Sequence, residues 1–444
     1  MKSISPRLST KRILLLILIV GCVIRTGMLI SNIKTNYSLF HNNIAVLNQQ
    51  INSTDFPFIH SFGAELSSVA YSIVCKQEGF SSPFGGHTGA TGWAAPGMVS
   101  IYTLAFYLFG CFTFGSIMFV FLFSLVLSLL MILMIYSLCV ELFRNESIGY
   151  IGACLFAIDP QDIFIFNRIH QQDFNILAFL FLLVFYLFMR CIESSSIKNL
   201  IFVALASGIA TLFNPVFVIP ITLLLCFLLK HKIFKLKYGV IFVIVAFSMV
   251  TPYILYQKHT LKAWTFIKSN GFFEIYQGNV PDCIGVLTLD VFEKYHPIKN
   301  QKEYEEYKAK GEMDYIKAKF VQFKDNFNLK SFLLLSIKKF LYFFFIFPPL
   351  KSSEQSIAAQ YFAYSLRGLS LLIYLLIRAK RLTTYDRLLY LYIVSYAIPF
   401  CFAGIMYRYS FPIVPFATVL AAYSIYTIWH WVKRSTMNYK FIKV

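Results

Sequence analysis

From Ser100 to Phe143 the chain is apolar for longer than one bilayer crossing requires, a crossing being about 20 residues of helix. Runs of that kind recur before and after it, and a soluble fold has no interior large enough for them all. Hydrophobic residues make up 58% of the 444 and charged residues 14%, with a mean hydropathy of +0.64. Soluble domains carry roughly 25% charged residues. The apolar excess must therefore face lipid, which excludes a soluble enzyme, a disordered chain and a disulfide scaffold. The net charge of +19 would suit nucleic acid, but on this background it marks cytoplasmic loops and anionic headgroups. The expected fold class is an all-α polytopic membrane protein, with membrane lipids and no nucleic acid among its partners.

The charge pattern threads the chain. Ile13–Ile30 follows Lys2, Arg7, Lys11 and Arg12, which places the N-terminus in the cytoplasm. Ile19-Val20-Gly21-Cys22 also looks like a lipoprotein cleavage site, a reading that the polytopic remainder disfavours. Arg25 is expected to snorkel to the headgroups. Gly110 splits the long apolar run into an interfacial helix and a span from about Ser116, and Arg144-Asn145-Glu146 turns inside. Further spans are Ile148–Ala157, Phe174–Ile192, Ile201–Leu212, Val216–Leu229, Val240–Tyr256, Tyr361–Ile377, Leu388–Ala403 and Ser410–Trp431. Leu333–Leu350, if it crossed, would put Arg378, Lys380, Arg381 and Arg387 outside. It reads as interfacial or re-entrant, with Lys338 and Lys339 at its face.

About ten spans result. The expected divisions are a first transmembrane helix (1–30), an external loop with an acidic motif and interfacial helices (31–115), and a transmembrane core (116–256). A second external segment (257–360), C-terminal transmembrane helices (361–432) and a basic cytoplasmic tail (433–444) complete them. No internal repeat of the inverted-transporter kind is visible. Of nine cysteines, only Cys75 and Cys283 fall in the two polar loops, residues 31–99 and 257–332, as a candidate pair in an oxidising compartment. The run Lys302–Lys319, with Glu303, Glu305, Glu306 and Glu312 among lysines, reads as a solvated helical face.

The first external loop is the most informative stretch. Glu65 opens a possible short helix to Lys76, and Glu78-Gly79-Phe80-Ser81-Ser82-Pro83-Phe84-Gly85-Gly86-His87-Thr88-Gly89-Ala90-Thr91-Gly92-Trp93-Ala94-Ala95-Pro96 follows. Glycine and proline at that density specify one backbone path rather than a helix or strand. A carboxylate at the membrane surface beneath such a loop can act as a general base toward a hydroxyl, while in a polar loop it is more often simply solvated. His87 has no second histidine at metal-ligand spacing. No phosphate loop, dinucleotide fingerprint or Ser-His-Asp pattern is present.

This segment resembles the first external loop of bacterial GT-C membrane glycosyltransferases, the family 39 or protein-mannosyltransferase-like superfamily. The family pattern is an acid, a helix, Gly-x-Gly-Phe-Ser-x-Pro-Phe-Gly, then Thr-Gly-Pro-Thr-Ala-Trp and a proline. Glu65, Gly79, Phe80, Pro83, Phe84, Gly85, Thr88, Gly89, Thr91, Trp93 and Pro96 fall on it, while Gln77, Ala90 and Gly92 depart. Asp159-Pro160-Gln161-Asp162 with His170-Gln171-Gln172-Asp173 is similar to the turn carrying a second acid. Lys268-Ser269-Asn270-Gly271, Glu274 and Gly278-Asn279 resemble the segment after the seventh span, and Gly311-Glu312 with Tyr315 a later helix start. Arg408-Tyr409-Ser410-Phe411-Pro412-Ile413-Val414-Pro415 resembles Arg-Tyr-Arg-x-Pro-x-x-Pro, with Ser410 at the second arginine. Tyr256 and Gln257 stand where a family arginine is usual.

The resemblance implies a GT-C-like fold and transfer of a sugar from a polyprenyl-phosphate donor to a hydroxyl acceptor, with inversion. The expected place is the outer side of a bacterial inner membrane. It makes Glu65 the base, with Asp162 and Asp173 as further catalytic acids, acceptor-orienting groups or metal ligands. Arg408 would hold the donor phosphate, its plain alternative being a snorkelling arginine. Lys258 and Lys262 would do so in place of the missing arginine, or touch headgroups, as would His259. Gly79, Phe80, Pro83, Thr88, Trp93, Asn270, Glu274 and Asn279 would shape the substrate loops. No cofactor is required by the pattern; a divalent metal, if present, would sit on Glu65 and Asp162. Two other readings remain open: an envelope-glycan polymerase or ligase, whose arginine-rich late loop is not evident here, and a lipid-linked sugar flippase, which calls for charged residues within the spans. An inactive relative, lacking two family arginines, is a third.

Overall fold

In the structure, a computed structural model, residues 11–31, 33, 64–166, 172–194, 196–345 and 357–441 are described. His170, most of the first loop before Ala64, and the end of Leu333–Leu350 lie outside them. Helices dominate. Among the described residues the only strand-like pairings are isolated bridges at Ser81 with Ala90 and Phe266 with Lys268.

The chain begins with α1 (Lys11–Ser31). α2 (Ala64–Val74) and α3 (Pro96–Phe109) follow, and Gly110 at φ 87° ends α3. A turn through Phe112 at φ 56° leads to Thr113, whose hydroxyl caps the 30-residue α4 (Phe114–Phe143). Asn145 caps α5 (Glu146–Ala157) and Asp159 caps α6 (Pro160–Ile165), taking the amides of Gln161 and Asp162. Next are α7 (Gln172–Ser194), α8 (Ile197–Phe213), α9 (Val218–Lys230) and α10 (Leu236–Leu261). The Asn214-Pro215 break between α8 and α9 follows from proline, which cannot continue a helix across its own ring.

Five shorter helices come next: α11 (Gly271–Gln277), α12 (Leu289–Tyr295), α13 (Gln301–Lys310), α14 (Glu312–Asp325) and α15 (Leu329–Phe344). The chain closes with α16 (Ile357–Arg378), α17 (Thr384–Phe402) and α18 (Val414–Phe441). Among the described residues six helices, α1, α4, α5 with α6, α7, α10 and α18 with its preceding turn, are long and apolar enough to cross a membrane. The threaded spans α8 and α9 are shorter and α16 and α17 are rich in tyrosine, but all four pack into the same bundle. With leucine, isoleucine and tryptophan exposed along α1, α10 and α18, the chain is an integral membrane protein.

Stacked aromatics fill the bundle. Phe181 on α7 lies 4.1 Å from the Tyr392 ring on α17, with Phe217, Tyr396 and Phe416 around them. The glycine-rich loop and the helices after α10 share a separate core of Phe84, Trp93, Phe273, Tyr304, Tyr307 and Tyr315. It is tied to one end of the bundle by Leu287 N–H to Ile405 O at 2.8 Å and by Gly278, where any Cβ would meet the Ala403–Gly404 backbone at 2.4 Å.

Four expectations are corrected. Arg25 does not snorkel: it is fully buried, 2.5 Å from Asp162, and also donates to the Gly21, Ala157 and Phe156 carbonyls. A carboxylate from α6 and freed carbonyls at the end of α5 meet all of its needs at once, which lipid headgroups do only for exposed arginines. Cys75 pairs with Cys111 rather than Cys283, because α2 and α3 lie side by side and end together; Cys283 is a buried thiol. The run Lys302–Lys319 is only half solvated: Tyr304, Tyr307, Tyr315 and Glu312 turn inward, and Lys319, 2% exposed, is clamped by Glu303 and Glu306 at 2.6 and 2.9 Å. On α15, Lys338 is exposed, whereas Lys339 is buried and donates to Asn279 Oδ1 at 3.2 Å.

Candidate functional site

The glycine-rich loop folds as a tight return. Ser82 N–H reaches Gly89 O at 2.9 Å and Thr91 N–H reaches Phe80 O at 3.0 Å. Gly79, Gly85, Gly86 and Gly89 all have positive φ, where other side chains are strained. Gln77, which departs from the family's first glycine, nevertheless takes the left-handed conformation at φ 57°. Pro83 and Thr88 are buried within the return, and Phe80 packs on Tyr253 and Tyr256 of α10.

Glu312 fastens this loop to the segment after α10. Its carboxylate accepts Gly92 N–H at 2.7 Å, Ser269 Oγ at 2.6 Å and Tyr307 OH at 2.8 Å, together with the Thr91 hydroxyl. Backbone pairing of Ser269 N–H with Gly92 O at 2.9 Å completes the seam. Burial pushes the Glu312 pKa up while its four donors pull it down. A carboxylate so fully engaged anchors structure and is not available to a substrate.

Glu65 sits in the first turn of α2, its side chain 29% exposed. Oε1 accepts Trp93 Nε1–H at 3.1 Å and lies 3.5 Å from His296 Nε2; Oε2 takes no hydrogen bond from a described residue. Trp93, 1% exposed, is wedged between Phe84 and Phe273, both at 4.9 Å. Desolvation against this apolar wall is the main cause of a Glu65 pKa raised to about 7, with Lys268, the Trp93 N–H and Arg408 opposing the rise and Glu274 adding to it. Burial likewise raises Glu274, against Lys268 and Arg408, and Glu274 accepts Asn270 Nδ2–H at 3.1 Å. Arg408, at the start of the turn before α18, stacks on Phe174 with 5.2 Å to the ring centroid, and its buried Nε has no partner among the described residues. Asp173 lies within reach of Arg408 and Lys268, with a buried Oδ1 also unpartnered there.

One end of the bundle thus gathers Glu65, Glu274 and Asp173 with Lys268 and Arg408. Four expected residues stand apart from this group. Asp162 is held by Arg25 and Ser128 Oγ, each at 2.6 Å. Exposed Lys258 lies 4.1 Å over the Trp264 ring, and Lys262 is an exposed helix cap. Asn279 acts as a clip, donating to Ile275 O and Phe402 O at 2.7 and 2.8 Å. Sequence reasoning missed Lys268 as a site cation although it sits in a quoted motif, and missed Glu312 as an anchor. His296 carried no sequence signal at all. The residues do not suit a divalent metal: among those described no three His, Cys, Asp or Glu side chains converge. The cations Lys268 and Arg408 lie among the acids, and Asp162 is already neutralised.

Residues 94–256 match the family model described as dolichyl-phosphate-mannose-protein mannosyltransferase. That match stops short of Glu65 on one side and of Lys268 and Arg408 on the other. No curated protein matches. Among solved structures, the oligosaccharyltransferase AglB of Archaeoglobus fulgidus, bound to an inhibitory peptide and a dolichol-phosphate, superposes with TM-score 0.53 at 12% identity, covering 97% of this chain and 52% of that one. The same enzyme tethered to an acceptor peptide gives 0.52 at 13%, covering 94% and 50%. The chain therefore spans about half the length of these structures. Both findings bear out the resemblance carried by the loop motifs, and the fold is of the GT-C type.

Proposed function

We propose that this GT-C chain is a membrane glycosyltransferase moving a sugar from a polyprenyl-phosphate carrier to a hydroxyl of an envelope lipid, glycan or protein. The site faces outward from a bacterial inner membrane. The observation that carries this reading is Glu65: a partly open carboxyl with a pKa near 7, flanked by Lys268 and Arg408 at the rim of an apolar bundle. A general base works best when its pKa lies near the ambient pH. The Cys75–Cys111 bond supports an oxidising compartment on this side.

In this mechanism Glu65 Oε2 takes the acceptor's hydroxyl proton as that oxygen attacks the anomeric carbon. The bond from that carbon to the phosphate oxygen breaks with its electron pair staying on the phosphate. Lys268 and Arg408 stabilise the added negative charge, Arg408 with a guanidinium suited to two phosphate oxygens. A single displacement inverts the anomeric configuration. Asp173 and Glu274 orient the acceptor, and Asp162 supports the site through Arg25.

The test compares envelope glycans and glycolipids by mass spectrometry in wild type, a deletion strain and a Glu65→Gln strain at matched membrane abundance. Deletion and Glu65→Gln are expected to lose the same sugar-sized mass, with at least about a hundredfold loss of product for the point variant. Full product from Glu65→Gln would overturn the base assignment.

A further inference from the structure

His296 follows α12 and takes no part in the proton or phosphate steps of that mechanism. Its ring is 4% exposed, walled by Phe84, Trp93, Phe273 and Phe292 at centroid distances of 4.9 to 5.9 Å. Nδ1 accepts Ile298 N–H at 3.1 Å, so the proton of the neutral ring resides on Nε2. The Nε2 atom stands 3.5 Å from Glu65 Oε1, a close polar contact rather than a formed hydrogen bond, and this is the oxygen already held by Trp93. We infer that His296 is a positioning residue for Glu65: with Trp93 it pins Oε1 between two ring N–H groups and leaves Oε2 as the oxygen that meets the acceptor. The inference rests on the base role proposed for Glu65.

Two features support it. Burial, with the charge of Lys268, lowers the His296 pKa to about 3, so the ring is a fixed N–H dipole and not a competing acid. The other groups facing Glu65 come from different elements: Lys268 before α11, Glu274 on α11, Arg408 and the Tyr409 phenol before α18, and the Tyr307 phenol on α13. None of these donates a hydrogen bond to Oε1. Without the His296 N–H the carboxylate loses one of the two ring dipoles that face Oε1, so the carboxyl keeps its proton to a higher pH and the ionised base is scarcer at the acid end.

The test titrates the Glu65 carboxyl stretch by infrared difference, with Glu65→Gln as the blank, in the full chain reconstituted in nanodiscs. Glycan product is measured in parallel from cells held between pH 6 and 8. His296→Phe keeps the ring but loses the N–H. The Glu65 titration is expected to move up by about one pH unit, with product about tenfold down at the acid end and recovering toward pH 8. His296→Gln, whose amide reaches the Nε2 position, is expected to restore both, and His296→Asn, which is too short, to restore neither. That last pair decides the matter even if His296→Phe does not accumulate. An unmoved titration in His296→Phe, or equal behaviour of His296→Gln and His296→Asn, would overturn the inference. A moved titration alongside a fully active Glu65→Gln would leave the positioning standing and remove the base role instead.

Discussion

Glu65 carries opposing demands that its surroundings make measurable. Its folded pKa of about 7 lies above the ordinary carboxyl value of 4.5, so the folded protein holds this proton more tightly than the unfolded chain. Stability from this group is therefore full below pH 4.5 and declines as pH rises toward 7. The base, in contrast, works only once ionised, so product formation should climb between pH 6 and 8. Glu65→Gln, which retains an acceptor for Trp93, should melt higher than wild type at pH 8 and match it near pH 4.5. Thermal scans at the two pH values check this; a lower melting point at pH 8 would mean that the carboxylate is stabilised by Lys268 and Arg408 more than it is penalised by burial. Two departures from the family pattern also meet here. A Cβ on Gly92 would lie 2.6 Å from Gln257 Nε2, and buried Gln257 holds Ile267 O and Thr265 at 2.9 and 2.8 Å. The small residue at 92 and the glutamine at 257 form one arrangement. Gly92→Ala should cost about 1–3 kcal/mol by overpacking. Adding Gln257→Ala should recover part of it, giving a coupling of about 0.5–3 kcal/mol in a thermal double-mutant cycle.

The glycine-rich loop and the segment after α10 are separate in sequence and behave as one element through Glu312. Replacing that carboxylate by Gln puts an amide N–H against groups that already donate. About 1.5–3 kcal/mol should be lost, and the loss should be local. Limited proteolysis of Glu312→Gln is expected to open the chain near residues 88–92 or 265–271 while the bundle helices stay resistant. Uniform loss of every band would show that this element and the bundle unfold together. The glycine return and the Glu65 helix are legible in the motif order itself, because turn geometry is written in adjacent residues. Glu312 is legible there only as a helix start, since its four donors come from Thr91, Gly92, Ser269 and Tyr307.

Across the molecule, the Arg25–Asp162 pair joins α1 to α6 inside the bundle, 137 residues apart in the chain. Removing one partner from a buried pair leaves an uncompensated charge and costs about 3–5 kcal/mol, whereas replacing both with apolar groups is often close to neutral. Arg25→Met should thus lower the melting temperature sharply, and Arg25→Met with Asp162→Leu should recover most of it. If the double variant still makes the glycan, Asp162 is an anchor; if it is stable yet inactive, Asp162 has a chemical role, and charge within the spans revives the flippase reading. The amino-acid order alone was enough for the all-helical membrane fold, the helix break at Gly110 and the tight glycine return after α2. Each is a local property, a run length or a turn composition. Partnership was not available from it. Arg25 with Asp162, Cys75 with Cys111, Lys268 rather than Lys258 beside Glu65, and His296 against the same carboxyl all join residues distant in the chain. Helix packing alone brings such groups together, and burial then makes an unpaired charge costly enough to hold each pair in place.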